Sequence, residues 1–143
     1  MMKKLRIALA TASVVAATGA TALIGAGAAN AAGNGGAWVS GRDVQVGTGN
    51  GSIGTCPLGD FCMYTGTGYT GTMFAFGHCE NYSLSQWNGN GSWVNNQTVG
   101  NSYSTYAKVL GASGQQIDSL SPYAPYWNAS YNWSPAWGVK PCG

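Results

Sequence analysis

The sequence predicts an all-β fold: a small Greek-key sandwich of short strands, stapled by two disulfides and preceded by a cleaved helical signal peptide. Three observations lead there. Beyond residue 37 no run of ten residues carries the apolar period of a helix, whereas short runs rich in Val, Tyr, Phe and Trp alternate with Gly, Asn and Ser clusters. Cys56, Cys62, Cys79 and Cys142 form an even set, as a disulfide framework requires. The front of the chain reads as an export leader, which places those cysteines in an oxidising space.

The leader occupies residues 1–31. Lys3, Lys4 and Arg6 precede an uncharged stretch over residues 7–24, and Ala29-Asn30-Ala31 supplies small residues where a signal peptidase reads them. Cleavage is therefore expected between Ala31 and Ala32. A membrane anchor is disfavoured, because Thr11, Ser13, Thr18, Gly19 and Thr21 interrupt a stretch that needs ~20 strongly apolar residues. The whole chain has a formal charge of +2, yet the part beyond the leader keeps Arg42, Lys108 and Lys140 against Asp43, Asp60, Glu80 and Asp118, a net −1. Without clustered cations, nucleic acid and anionic membrane are excluded as partners. The expectation is a secreted, extracellular monomer.

Residues 32–37, rich in Gly and Ala, read as a flexible lead-in, and residues 38–143 as one domain. Strands are expected over residues 43–47, 61–65, 72–76, 92–95 and 106–111, with Gly- and Asn-rich turns over 47–51 and 88–91. Residues 83–87 suggest one helical turn. Beyond Ser121, the prolines at 122, 125 and 135 predict irregular chain wrapped over the sheet and tied down by Cys142. Loop-closure entropy leaves the disulfide pairing open: Cys56 with Cys62 and Cys79 with Cys142 sums to about 7 kcal/mol, the Cys62 with Cys79 alternative to about 8. The short spacing and the Pro57-Leu58-Gly59 turn favour the local bridge.

The most informative run is Cys56-Pro57-Leu58-Gly59-Asp60-Phe61-Cys62-Met63-Tyr64, followed by Thr65-Gly66-Thr67-Gly68-Tyr69-Thr70-Gly71. Tyr69 can fold back over a Gly-rich hairpin toward Tyr64, and Gly71 opens backbone conformations closed to residues with Cβ. This run resembles the secreted actinobacterial peptidase inhibitors of family I36. Tyr64, Tyr69 and Gly71 match the corner motif of the βγ-crystallin Greek key that this family resembles. A second, thinner similarity lies at Trp93-Val94-Asn95-Asn96.

The resemblance implies a proteinaceous inhibitor of extracellular, thermolysin-like zinc proteases, with no catalysis and no cofactor. The family's characterised member is thought to act through a second short disulfide hairpin. Here Cys79 and Cys142 are too far apart in sequence to close one. The candidate inhibitory loop is therefore Pro57, Leu58, Gly59, Asp60 and Phe61, in which Leu58 and Phe61 are the bulky apolar types such a protease pocket accepts. Alternatively the loop only staples the start of a strand, with Phe61 turned inward.

Other chemistries find less support. Zinc ligation lacks a Cys-x-x-Cys or a His pair, and His78 is the only histidine. Asn95-Asn96-Gln97-Thr98-Val99-Gly100 begins like a microbial crystallin calcium loop but supplies no carboxylate, so no metal is expected. The four acids are scattered singly, and His78 stands beside no recognisable nucleophile. The other class of function is a polysaccharide-binding or envelope-binding module, with Tyr126, Trp127, Tyr131 and Trp133 as a stacking platform. Its rival is that these rings fill the core, as aromatics usually do.

Overall fold

Alternation of inward and outward side chains organises the chain into ten antiparallel strands among the described residues. The computed structural model describes residues 36–100 and 105–143. The expected leader, and the lead-in up to residue 35, lie outside them. The strands are β1 (Trp38–Ser40), β2 (Val44–Asn50), β3 (Phe61–Tyr64), β4 (Thr70–Phe76), β5 (Tyr82–Ser85), β6 (Asn90–Asn95), β7 (Ala107–Leu110), β8 (Gln116–Leu120), β9 (Trp127–Asn132) and β10 (Gly138–Lys140). They form two sheets, ordered β1-β5-β10-β7-β8 and β2-β4-β3-β6-β9. The all-β, two-sheet expectation holds.

Connectivity follows a Greek key twice. The β3–β4 hairpin is followed by β5, which crosses to the other sheet, and by β6, which returns to pair with β3. The β7–β8 hairpin repeats the path: β9 crosses to pair with β6, and β10 returns to β7. Each motif thus lends its third strand to the other's sheet. The exchange ties the halves through backbone hydrogen bonds as well as apolar contact.

All five predicted strands are present with shifted ends, β2 running through most of the turn expected over residues 47–51 because those residues pair with β4, and three further expectations need correction. Residues 83–87 contain no helical turn: Tyr82 and Leu84 point inward while Ser83 and Ser85 point out, so the segment is β5. The chain beyond Ser121 is not wholly irregular, because β9 and β10 lie in it. β1 and β8 also went unanticipated.

The main core lies between the sheets, where Phe61 stacks on Phe76 at 5.8 Å and Trp87 meets Trp133 edge-on at 5.6 Å. β3 is buried on both faces. Phe61 and Met63 enter the main core, while Cys62 and Tyr64 face outward into a second cluster with Cys56, Tyr69, Met73, Ala75 and Val94. Ile53, Tyr126 and Trp127 pack against that outer cluster. It anchors the segment that precedes β3.

Candidate functional site

The corner motif forms as its residues dictate. Gly68 and Tyr69 take left-handed conformations, φ 62° and 61°, and Gly71 follows at φ 77°. A Cβ on Gly71 would stand 2.4 Å from Thr65 Oγ1, so glycine is required for space as well as for backbone angle. Tyr69 folds back edge-on to Tyr64, with ring centroids 5.9 Å apart.

Ser92 on β6 locks this corner, a role that sequence reading missed. Its buried hydroxyl accepts from Tyr69 N at 2.8 Å and donates to Gly66 O at 2.7 Å. Tyr64 in turn supports the chain before β3 through a 2.9 Å contact between its hydroxyl and Thr55 Oγ1. Thr55 spends its own proton on Ser52 O, so Tyr64 is the donor. Burial pushes the Tyr64 phenol above its ordinary pKa, keeping that proton in place.

From this base rises the loop. Cys56 is bonded to Cys62, with Cα atoms 5.8 Å apart, and Cys79 to Cys142, at 5.4 Å. Between the first pair, Asp60 N donates to Pro57 O at 3.2 Å, and Gly59 sits at φ 95°, the left-handed third position of a type II turn. Asn96 then grips both sides of the turn. Its Nδ2 donates to Cys56 O at 3.0 Å, its backbone N to Asp60 O at 2.9 Å, and its carbonyl accepts from Gly59 N at 2.9 Å.

The five loop residues separate sharply. Leu58 stands 82% exposed at the apex, flanked by exposed Pro57 and Gly59. Phe61 is fully buried against Phe76 and offers nothing to a partner, which narrows the apolar candidates to Leu58. Asp60 is buried as well, and desolvation raises its pKa, opposed by the charge of nearby His78. A cleft of about 290 Å³ opens beside Gly59, lined also by Phe76, His78, Gln97 and the Cys79–Cys142 bridge.

Asn95, Asn96 and Gln97 are committed to structure. The buried Asn95 amide donates at 2.9 Å to both Thr105 O and Leu120 O, and Gln97 Nε2 donates to Pro141 O. Asn96 holds the disulfide loop. Among the described residues no three His, Cys, Asp or Glu side chains converge as a metal site. His78 Nε2 lies 3.8 Å from Asp43 Oδ2, an exposed pair on the surface.

Of the four rings of the alternative stacking platform, three are half-buried and one is sealed in the core. Trp133 is fully buried, 4.4 Å from the half-buried Tyr131, whose hydroxyl donates to Asp118 Oδ2 at 2.7 Å. Burial and that carboxylate both push the Tyr131 phenol upward. Tyr126 and Trp127 pack edge-on at 4.4 Å over the outer cluster. The prominently exposed tryptophans are instead Trp38 and Trp137.

Fold and site together define a small Greek-key sandwich that displays a disulfide-closed loop held by hydrogen bonds to Asn96. The sequence model of peptidase inhibitor family I36 matches residues 49–111, from the end of β2 through the first Greek key to the end of β7, and over this stretch the chain is similar to that family. The matched stretch includes the Cys56–Cys62 loop, the corner, Ser92 and Asn96. No curated protein and no solved structure matches the chain. That similarity supports a peptidase inhibitor in general. Among the described residues no helix is long and apolar enough to cross a membrane.

Proposed function

We propose that the chain is a secreted inhibitor of extracellular, thermolysin-like metalloproteases, and that it engages them with Leu58 at the apex of the 57–60 turn. The observation that carries this reading is an apolar side chain 82% exposed on a turn fixed by a disulfide and three hydrogen bonds to Asn96. Exposing leucine in water gains nothing for folding, whereas burying it in a partner's pocket returns about 1.5–3 kcal/mol.

Rigidity supplies the rest. A flexible peptide loses conformational freedom when it docks and, once cut, lets its ends diffuse apart. A turn held at Cys56, Gly59 and Asp60 has little freedom left to lose. If the backbone is cleaved within the loop, the Cys56–Cys62 bridge keeps both new ends on the same body. Inhibition thus follows from slow release of a segment that binds like substrate.

The test is a panel of zinc and serine endopeptidases assayed with the oxidised protein. The expected result is inhibition of a thermolysin-like enzyme with a constant of about 1 μM or tighter. Inhibition confined to serine proteases would overturn the assigned target class, and no inhibition across the panel would overturn the inhibitor reading itself.

A further inference from the structure

A second groove opens beyond the end of β5. Cys79, just before β5, shares the cleft beside Gly59, whereas the second groove opens where β5 ends, among Leu84, Gln86, Asn88, Ser134, Ala136 and Trp137. Its volume is about 370 Å³. Leu84, Trp87 and Ala136 are buried and form an apolar floor. Trp137 stands 61% exposed on one side, although its backbone is fixed by bonds to Leu110 O and from Leu84 N. No other ring packs against it among the described aromatic contacts.

The remaining lining is polar and uncharged. The side chains of Gln86, Asn88 and Ser134 are exposed and make no hydrogen bond within the described protein. Gln86 is held at φ 61°, a left-handed conformation that few residues other than Gly, Asn and Asp adopt, and one that tends to persist where a site uses it. No Asp, Glu, Lys or Arg contributes to the groove.

We infer that this groove binds a neutral saccharide, with one pyranose face stacked on Trp137 and its hydroxyls hydrogen-bonded by Gln86, Asn88 and Ser134. A sugar ring has an apolar C–H face and a rim of hydroxyls, and the groove pairs an aromatic face with amides and hydroxyls. A charged ligand would find no counter-ion there. An apolar ligand would strand three polar side chains against its surface. Because the groove shares no lining residue with the cleft beside Gly59, a wall polysaccharide and a protease could be held together; that consequence, unlike the sugar site, rests on the inhibitor reading.

The test is co-sedimentation of the full, oxidised protein with insoluble chitin, cellulose and peptidoglycan, which share β-1,4-linked pyranosides and differ in their substituents. Binding to at least one is expected. Trp137→Ala should weaken it by at least about tenfold, while Trp137→Phe retains most of it and Tyr123→Ala, at an exposed ring elsewhere, leaves it unchanged. Near-ultraviolet circular dichroism checks that each variant is folded. Failure to bind all three polymers, or equal binding by folded Trp137→Ala, overturns the proposal. No protease enters the assay, so its failure is distinct from failure of the inhibitor reading.

Discussion

Replacing Ser92 by Ala should be among the most damaging single-atom changes available to this fold. The hydroxyl has no exposed surface and satisfies two buried backbone groups, Tyr69 N and Gly66 O. Removing it strands both, at about 1–3 kcal/mol each, and leaves a void too small to admit water freely. A loss of about 2–6 kcal/mol follows, a large share of the stability of a small domain. Urea denaturation with disulfides intact measures it. With a slope of about 1–3 kcal/mol/M, the midpoint should fall by about 1 M or more while the slope stays constant. A change below about 0.5 kcal/mol would refute the assignment of Ser92 as the lock of the corner, since that is the size of an ordinary surface substitution.

Three further outcomes follow from the same geometry. Gly71→Ala should lower the thermal midpoint through a loss of at least about 1 kcal/mol, because φ 77° and the 2.4 Å approach to Thr65 Oγ1 leave no place for a methyl group; an unchanged midpoint would contradict this requirement for glycine. Replacing Cys56 and Cys62 together by Ala should cost about 2–3 kcal/mol and make the turn a site of rapid proteolysis, read by mass spectrometry of the fragments; an uncut loop would show that Asn96 alone suffices to hold it. Asp60 is more readily protonated folded than unfolded, so its burial cost is present at neutral pH and disappears as pH falls through its raised pKa toward 3.8. Relative to Asp60→Asn, the wild type should therefore gain stability between neutral pH and about pH 4 in urea titrations, and a relative loss would reverse the sign of the assigned shift.

What the sequence disclosed depended on how local its signal was. The corner was legible because Tyr64, Tyr69 and Gly71 lie within one hairpin and the needed backbone conformation selects glycine. The local disulfide was favoured for the same reason. Ser92 was hidden: it sits beside a Gly- and Asn-rich turn, and only the pairing of Tyr64 with Ser92 brings it to the corner. Asn96 drew attention as a would-be calcium ligand, yet its amide and backbone hold the 57–60 turn.

Burial was harder to read than pairing. Phe61 and Leu58 look alike as apolar loop residues, and a strand buried on both faces, as β3 is, gives no period-two pattern to tell inward from outward. β8 is exposed at four of its five positions, and β9 is largely exposed at the edge of its sheet, so neither alternates visibly. Trp133 and Trp137 share a Pro-broken segment and the same chemistry. One is sealed in the core and the other projects into water, though they stand only four positions apart in the chain.

The most direct measurement of the central claim is a set of inhibition constants for Leu58 variants against one thermolysin-like protease. Leu58→Met, which conserves volume and polarity, should stay close to the wild type. Leu58→Ala should weaken inhibition by about 10–150-fold, the equivalent of about 1.5–3 kcal/mol of lost burial, and Leu58→Asp should weaken it further because a charge must then be desolvated. Because Leu58 contributes nothing to the core, all three variants should unfold at the wild-type midpoint. Wild-type inhibition by folded Leu58→Asp would contradict the account and move the inhibitory surface away from the disulfide loop.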